Sequence, residues 1–384
     1  MTAIPYVKKI SSNIKKGYSL EFNSNLACLQ GKNGAGKSGV IQSIMLALVG
    51  EVRDAGFRDR IRDPKMLSEL SNGQNLWSHV ELSDGTKFSY IYDGKKVTLA
   101  ENRPVAYELY SLCEEAIQGS TDTLIEFLYT FIACFSGDNK NACLVHFEAL
   151  LKQSKIKNQN ITGYKLRAAE LFKQEFLNLN GYLKSIKNSL DSFTEELKES
   201  KTFTAYCARL PANTFLSECL DKANKRQREL EEELVFFKLL HSSIRLAMRD
   251  VVTACKSNIE DLLNSYYDTS AGKQLVLITE EKRVRLALHD NHTTIDATSL
   301  SGFEFVRVAY ALACVVASKF DGFKFFVVPD RSYDTHAWHL MEDMFLDAPF
   351  QVITQRATIE PKPFTNFNWD VIWLSEQIQK LKYL

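Results

Sequence analysis

The chain has 384 residues, 45% of them hydrophobic, which excludes a wholly disordered protein and suggests two or three structural units, or one large domain with an insertion. Its 47 Lys and Arg are matched by 47 Asp and Glu, so overall basicity gives no argument for nucleic-acid binding, and any such surface has to be a local patch. No apolar run approaches the roughly 20 residues of a membrane-spanning helix. Met1 to Lys16 lacks the apolar core and small-residue cleavage site of a secretory signal. The eight cysteines (Cys28, Cys113, Cys134, Cys143, Cys207, Cys219, Cys255 and Cys314) are scattered without metal-ligand spacing and read as reduced, mostly buried thiols.

In chain order, the first informative segment is Gly31-Lys32-Asn33-Gly34-Ala35-Gly36-Lys37-Ser38. A short apolar stretch leads into it and an apolar run of helical length, Val40 to Val49, follows. This is the strand, loop and helix context that G-x-x-x-x-G-K-[ST] requires. The glycines let backbone N–H groups turn inward around phosphate oxygens, and the helix N-terminus adds partial positive charge. Lys37 is placed to reach the β- and γ-phosphates of a nucleotide, and Ser38 to ligate Mg²⁺. The motif does not choose between kinase, GTPase and ATPase.

Trp77 to Val97 alternates and carries two Asp-Gly turns, so it reads as an antiparallel meander. Leu124 to Phe135 and Ala142 to Lys152 read as helices. Phe172, Phe176, Leu179, Leu183, Ile186, Leu190, Phe193 and Leu197 then follow the a/d rhythm of a coiled coil, as do Leu230, Leu234, Phe237, His241, Ile244, Met248, Val251 and Cys255. Lys201 to Asp221, with Pro211 and Asn213, breaks helix between them. Two such arms of about 30 residues, ~45 Å each, fold back as an antiparallel hairpin. The alternative is that they pack within a globular helical domain.

Beyond the hairpin, Gln274 to Thr279 and Arg283 to Leu288 read as paired strands. Leu300-Ser301-Gly302-Phe303-Glu304 precedes an apolar helix from Phe305 to Lys319. Phe323 to Asp330 is a buried strand ending in a carboxylate, Phe350 to Thr354 another strand, and Val371 to Leu381 a C-terminal strand and helix.

Together these motifs resemble an SMC/RecF/SbcC-type ATPase of the ABC class. The phosphate loop has that family's usual form, Leu70 to Gly73 leading into Val80 to Leu82 resembles the segment after it, and Leu300 to Glu304 resembles its L-S-G-G-E signature. The resemblance implies an α/β fold, an ABC-type P-loop ATPase head split by an antiparallel helical hairpin. Residues 1–155 would form the N-terminal lobe, 156–264 the insertion, and 265–384 the C-terminal lobe. The hairpin is nearer in length to that of RecF than to SMC arms. The resemblance further implies ATP and Mg²⁺ as cofactors, with Gly31 to Ser38 holding the phosphates and Ser38 and Asp330 the metal. Ser301 and Gly302 of one copy would cap the γ-phosphate bound by another, in a homodimer joined through ATP. Taken alone, Ser301 reads as an ordinary helix cap.

The sequence departs from the family at three catalytic positions. Arg331 stands where a glutamate should polarise the attacking water, and a guanidinium cannot accept a proton. Ile353-Thr354-Gln355 stands where a histidine is expected, and Ser136 where a glutamine is. Glu304 and Asp334 remain as substitutes for the missing base. Lys8, Lys9, Lys15 and Lys16, and Arg53, Arg58, Arg60 and Arg62, are local basic clusters, the second offset by Asp54, Asp59 and Asp63.

Two readings follow. One is an ATP-gated dimer acting on DNA in recombination, repair or replication, with slow hydrolysis. The other is a non-hydrolysing ATP-binding subunit that switches a protein partner. A small-molecule kinase explains neither hairpin nor signature. The expected setting is cytoplasmic, in a bacterial or phage-infected cell, with a nuclease or replication factor as a possible partner.

Overall fold

In the computed structural model the described residues are 4–14, 17–53, 60–61, 71, 75–99, 105–131, 139–154, 161–174, 179–210, 214–269, 272–280, 283–290 and 292–374. The strands are β1 (Val7–Ser12), β2 (Tyr18–Glu21), β3 (Leu26–Gly31), β4 (Val52–Arg53), β5 (Arg60–Ile61), β6 (Leu76–Leu82), β7 (Lys87–Tyr92), β8 (Val97–Leu99), β9 (Ala106–Glu108), β10 (Gln274–Glu280), β11 (Arg283–Asp290), β12 (Thr293–Asp296), β13 (Phe323–Val327), β14 (Gln351–Ala357) and β15 (Trp369–Trp373). The helices are α1 (Lys37–Leu48), α2 (Leu109–Gln118), α3 (Thr121–Phe131), α4 (Asn139–Gln153), α5 (Ile161–Gln174), α6 (Leu179–Cys207), α7 (Thr214–Ala254), α8 (Lys256–Asn264), α9 (Gly302–Ala317) and α10 (Thr335–Met344). Two units emerge: Met1–Gly119 with Glu260–Leu277 and Arg285–Leu384, and Ser120–Ile259 with Ile278–Val284.

In the first unit a parallel sheet has the order β15-β3-β14-β13-β9, and an antiparallel sheet the order β2-β1-β6-β7-β8. Helix α1 lies between them. Val40, Ile41 and Ile44 share one apolar cluster with Ile10, Val80 and Phe88 of the antiparallel sheet and with Leu29, Phe325 and Ile353 of the parallel one. The opposite face of the parallel sheet is covered too, since Phe326 packs against Tyr110 of α2 and Tyr310 of α9. Burial on both faces is why β13 is apolar at every position but Lys324 and why the first five residues of β14 are all buried, the polar Gln351, Thr354 and Gln355 among them. Polar contacts set the position of α1: the Tyr18 hydroxyl bonds to Gly39 O at 2.8 Å and to the Ser43 hydroxyl, and Ser78 Oγ donates to Ser43 O at 2.8 Å. A third sheet, β10-β11-β12, precedes α9. Asn264 and Glu260 of α8 bond to the backbone of Leu275 and Leu277, so side chains satisfy part of the β10 edge.

The second unit is helical. α6 and α7 pack antiparallel: Phe193 meets Phe237, Glu196 binds Arg226 at 2.7 Å, and Lys201 binds Glu231 at 2.9 Å. α6 runs to Cys207 and α7 begins at Thr214, so the connection is shorter than Lys201 to Asp221; Pro211 and Asn213 lie outside the described residues. The a/d residues Leu230, Leu234, Ile244, Met248 and Val251 are buried, but so are Phe236, Leu240, Ala247 and Val252, which lie off that seam. Those extra positions meet other helices. Phe236 packs on Phe147 of α4 and Tyr164 of α5, and Arg167 of α5 forks onto Glu233 at 2.7 and 2.9 Å. Arg245 reaches Asp122 and Glu126 of α3, and His146 of α4 meets Asp250 at 2.6 Å. The 41-residue α7 is thus a hairpin arm in its first part and the central helix of a bundle in its second. Among the described residues no helix is long and apolar enough to cross a membrane.

Candidate nucleotide site

The phosphate loop leaves the C-terminal end of β3, at the edge of the parallel sheet where open α/β sheets bind ligands. Gly31 has φ +157°, and a Cβ there would lie 2.6 Å from Leu374 O and 3.0 Å from the Ala35 side chain. The backbone after β15 therefore closes on the loop, and only glycine fits. Gly34 has open space around it; its φ of +84° is what favours glycine there. Lys32 and Asn33 are exposed, Ala35 is buried, and Gly36, in the left-handed region, is the residue before α1.

Lys37 is only 4% exposed. Its ammonium donates to Gly31 O at 3.1 Å and Lys32 O at 3.3 Å, and lies 3.9 Å from the Asp330 carboxylate. The loop curls around its own cation. Asp330 comes from the segment after β13, two strands across the sheet. Burial pushes its carboxyl above the usual range, and Lys37 partly offsets this. Ser38 sits in the first turn of α1, partly exposed. A hydroxyl and a carboxylate at this edge are hard oxygen donors that suit Mg²⁺, which takes one or two protein ligands and completes its shell with phosphate and water. Among the described residues there is no cluster of three or more His, Cys, Asp or Glu for an all-protein metal cage. The positive-φ cradle and the enclosed ammonium suit a polyphosphate.

Ser301 occupies the N-cap position of α9, yet its hydroxyl makes no capping bond and its side chain is exposed. Gly302 lies under Arg331: a Cβ there would be 3.2 Å from Arg331 Cδ and 3.4 Å from Nη1. Consecutive residues thus serve two parts of the site, Asp330 facing Lys37 and Arg331 lying on Gly302. The Arg331 guanidinium also lies 3.9 Å from Glu114 of α2.

Both carboxylates named as substitutes for the glutamate are already engaged within the fold. Glu304 accepts from Tyr267 Oη at 2.9 Å, Lys273 Nζ at 2.8 Å and Arg307 Nη1 at 3.3 Å. Burial raises its pKa, but these partners outweigh it and hold the carboxyl below the usual range. Asp334 caps α10, accepting from Ala337 N at 2.7 Å. Gln355, on β14 beside Leu29 of β3, is 5% exposed, and its Oε1 has no partner among the described residues. Ser136, and all of Leu70 to Gly73 except Ser71, fall outside them.

One residue was not singled out by motif. Glu108, at the end of β9, is buried and accepts from Tyr110 N at 3.0 Å, Ser111 N at 2.6 Å and Val327 N at 3.1 Å. It caps α2 and holds the end of β13, three residues before Asp330. Burial raises its pKa, opposed by these bonds. The available signal was a lone carboxylate just before an apolar helical run.

The profile of the AAA domain family AAA_23 matches residues 13–235, more than half of the chain; the match includes the phosphate loop and ends before Ser301 and Asp330. A search of curated proteins finds no match. Among solved structures, the Smc head domain of Pyrococcus furiosus, with an extended coiled coil and bound to the C-terminal domain of ScpA, aligns over 92% of this chain and 90% of that one, at 14% identity and a TM-score of 0.40. The recombination mediator protein RecF with ATP, of the RecFOR pathway, aligns over 92% of each chain, at 14% identity and a TM-score of 0.37. With a phosphate loop between a parallel sheet and the helix it feeds, and a helical unit inserted before the C-terminal strands, the chain belongs to the AAA domain family AAA_23.

Proposed function

We propose that the protein binds ATP with Mg²⁺ and forms a two-fold dimer in which the loop of one copy (Gly31 to Ser38) and Ser301 and Gly302 of the other enclose each nucleotide, and that this dimer acts on DNA. The observation that carries the reading is Ser301. A serine at the N-cap of a 16-residue helix normally bonds back to the helix; this one makes no capping bond and its side chain is exposed, which leaves the hydroxyl to a group from outside the chain. Ser38 and Asp330 would hold the metal. Because burial raises the Asp330 pKa, its ligating carboxylate form is reached only at higher pH than usual. Mg²⁺-dependent ATP affinity should therefore rise with pH through that range, and Asp330→Asn should flatten the rise.

The DNA assignment rests on kinship with SMC/RecF-type heads and on local basic residues. Of these, Lys8 and Lys9 are exposed on β1, with Lys9 paired to Glu21 at 3.4 Å. Lys15, Lys16, Arg58 and Arg62 lie outside the described residues. The second reading, a slow or non-hydrolysing subunit that switches a protein partner, is favoured by Arg331 next to Asp330.

The deciding experiment is sizing of the pure protein with ATP, ADP or no nucleotide, with and without duplex DNA. ATP alone should produce the dimer. Ser301→Arg should prevent it by placing a bulky cation where the serine approaches the opposite phosphate. A normal ATP dimer of Ser301→Arg would rule out the cross-copy sandwich. DNA binding that ATP strengthens and salt weakens separates the first reading from the second.

A further inference from the structure

We infer that Gln355 is a positioning residue of the nucleotide site, its amide oxygen accepting a hydrogen bond from a water on the bound Mg²⁺. The inference rests on the nucleotide reading above. It adds to Ser38 and Asp330 a residue that acts on the metal through water rather than by direct contact.

The strand register puts Gln355 between the two halves of the site. β14 lies between β3, which feeds the loop, and β13, which leads to Asp330. On one side Gln355 pairs with Leu29, and Ala357 with Gly31. On the other, Val328 N donates to Ile353 O at 2.9 Å, two residues before Asp330 on one strand and two before Gln355 on its neighbour. Successive side chains of a strand point to opposite faces. Gln351 Oε1 accepts from Val7 N of β1 at 2.9 Å, and Ile353 shares the apolar cluster with Val40 and Ile44 of α1. Arg356 instead lies 4.9 Å from the centre of the Trp338 ring of α10. Gln355 therefore points to the face that carries α1, at the edge of the sheet where Lys37 and Ser38 begin that helix.

The amide there lacks a partner. Gln355 is 5% exposed, and its buried Oε1 has no hydrogen bond among the described residues. Gln351, the same residue type on the same face at the other end of the strand, has its oxygen taken by a backbone N–H. A buried acceptor left unmet costs stability, and the cost is recovered only when a donor arrives. A carbonyl oxygen accepts and does not donate, so the missing partner is a donor and not a phosphate oxygen. The nearby ammonium is occupied, since Lys37 bonds to Gly31 O and Lys32 O and faces Asp330. A metal-bound water is a strongly polarised donor. Mg²⁺ held by one or two protein oxygens keeps several such waters, and the groups that accept from its shell tune how tightly it is held.

The test is calorimetric titration of ATP into the full chain, with Mg²⁺ and again with EDTA, for wild type, Gln355→Leu and Gln355→Glu, with thermal melting of each protein free of nucleotide. Leucine keeps the side chain's bulk and removes the acceptor; glutamate keeps an acceptor. Gln355→Leu should weaken ATP about tenfold with Mg²⁺, leave the affinity in EDTA unchanged, and melt no lower than wild type, because it removes an unmet buried amide. Gln355→Glu should recover the affinity with Mg²⁺ and bind more weakly than wild type in EDTA, where its charge faces the phosphates without the metal between them. Unchanged affinity of Gln355→Leu with Mg²⁺ would overturn the inference and leave the amide to an ordered water. Equal weakening with and without Mg²⁺ would overturn it by placing the amide on the nucleotide itself. Lower melting of Gln355→Leu with both affinities reduced would overturn it in favour of a structural role. A wild type that binds no ATP would overturn the nucleotide reading and this inference with it; wild-type binding that Gln355→Leu leaves intact would overturn this inference alone.

Discussion

Lys37→Met is expected to abolish measurable ATP binding while leaving the fold intact. Among the described residues Lys37 is the cation that the loop encloses, held by Gly31 O and Lys32 O and facing Asp330. A bound polyphosphate would exchange those carbonyls for charged oxygens. Hydrogen bonds to charged groups are worth about 1.5–3 kcal/mol each, so losing two costs about 3–6 kcal/mol, or about 10²–10⁴ in Kd. Methionine keeps the apolar stem in its buried channel, which alanine would not, so the substitution tests the charge rather than the packing. It also removes the cation that offsets the burial of Asp330, which leaves that carboxyl harder to ionise. The measurement is calorimetric titration of ATP with Mg²⁺, alongside thermal melting. Equal affinity in wild type and Lys37→Met would show that the loop is not where nucleotide binds.

The loop was legible because its information is local. Three glycines, a lysine and a serine at fixed spacing between an apolar strand and an apolar helix specify the conformation over a few residues. The meander was legible for the same reason, through alternation and Asp-Gly turns. The order of the parallel sheet was not. β14 pairs with β3 through Val352 and Leu26, from opposite ends of the chain, and no local pattern encodes that register. β9 is three residues long, and its contribution, the Glu108 carboxylate bonded to Val327 N, replaces a ladder bond with a side chain that periodicity cannot detect. Heptad spacing located the seam between α6 and α7 but not the second buried face of α7. Phe236 and Leu240 fall between a/d positions, and their partners Phe147 and Tyr164 lie on helices with no such rhythm. At the site, the sequence placed Glu304 and Asp334 near the chemistry; only the structure shows that an ionic network and a helix cap already engage them.

Those engagements sharpen the expectation for turnover. The residues proposed to hold phosphate and metal keep the chemistry for it: Lys37 inside the loop, 3.9 Å from Asp330, and Ser38 in the first turn of α1. The residue after Asp330 is an arginine that lies on Gly302 and faces Glu114, so it neither accepts a proton nor orients a water as a carboxylate would. A missing general base forfeits about 10²–10⁴ in rate, and wild-type hydrolysis should be slow by that order, with an ATP dimer that persists. Arg331→Glu should raise phosphate release, because it installs a carboxylate that can accept a proton from water. Arg331→Ala separates two effects: it clears the guanidinium from Gly302 without installing a base, and should leave turnover low. The measurement is steady-state phosphate release by wild type, Arg331→Glu and Arg331→Ala, with Lys37→Met as the blank. Gln355→Ala is added because its unpartnered Oε1 lies on the strand beside the one that feeds the loop. Fast wild-type hydrolysis that needs Lys37 and is unchanged or reduced in Arg331→Glu would mean that the site has another base. Loss of that activity in Gln355→Ala would then point to the amide as the group that positions the water.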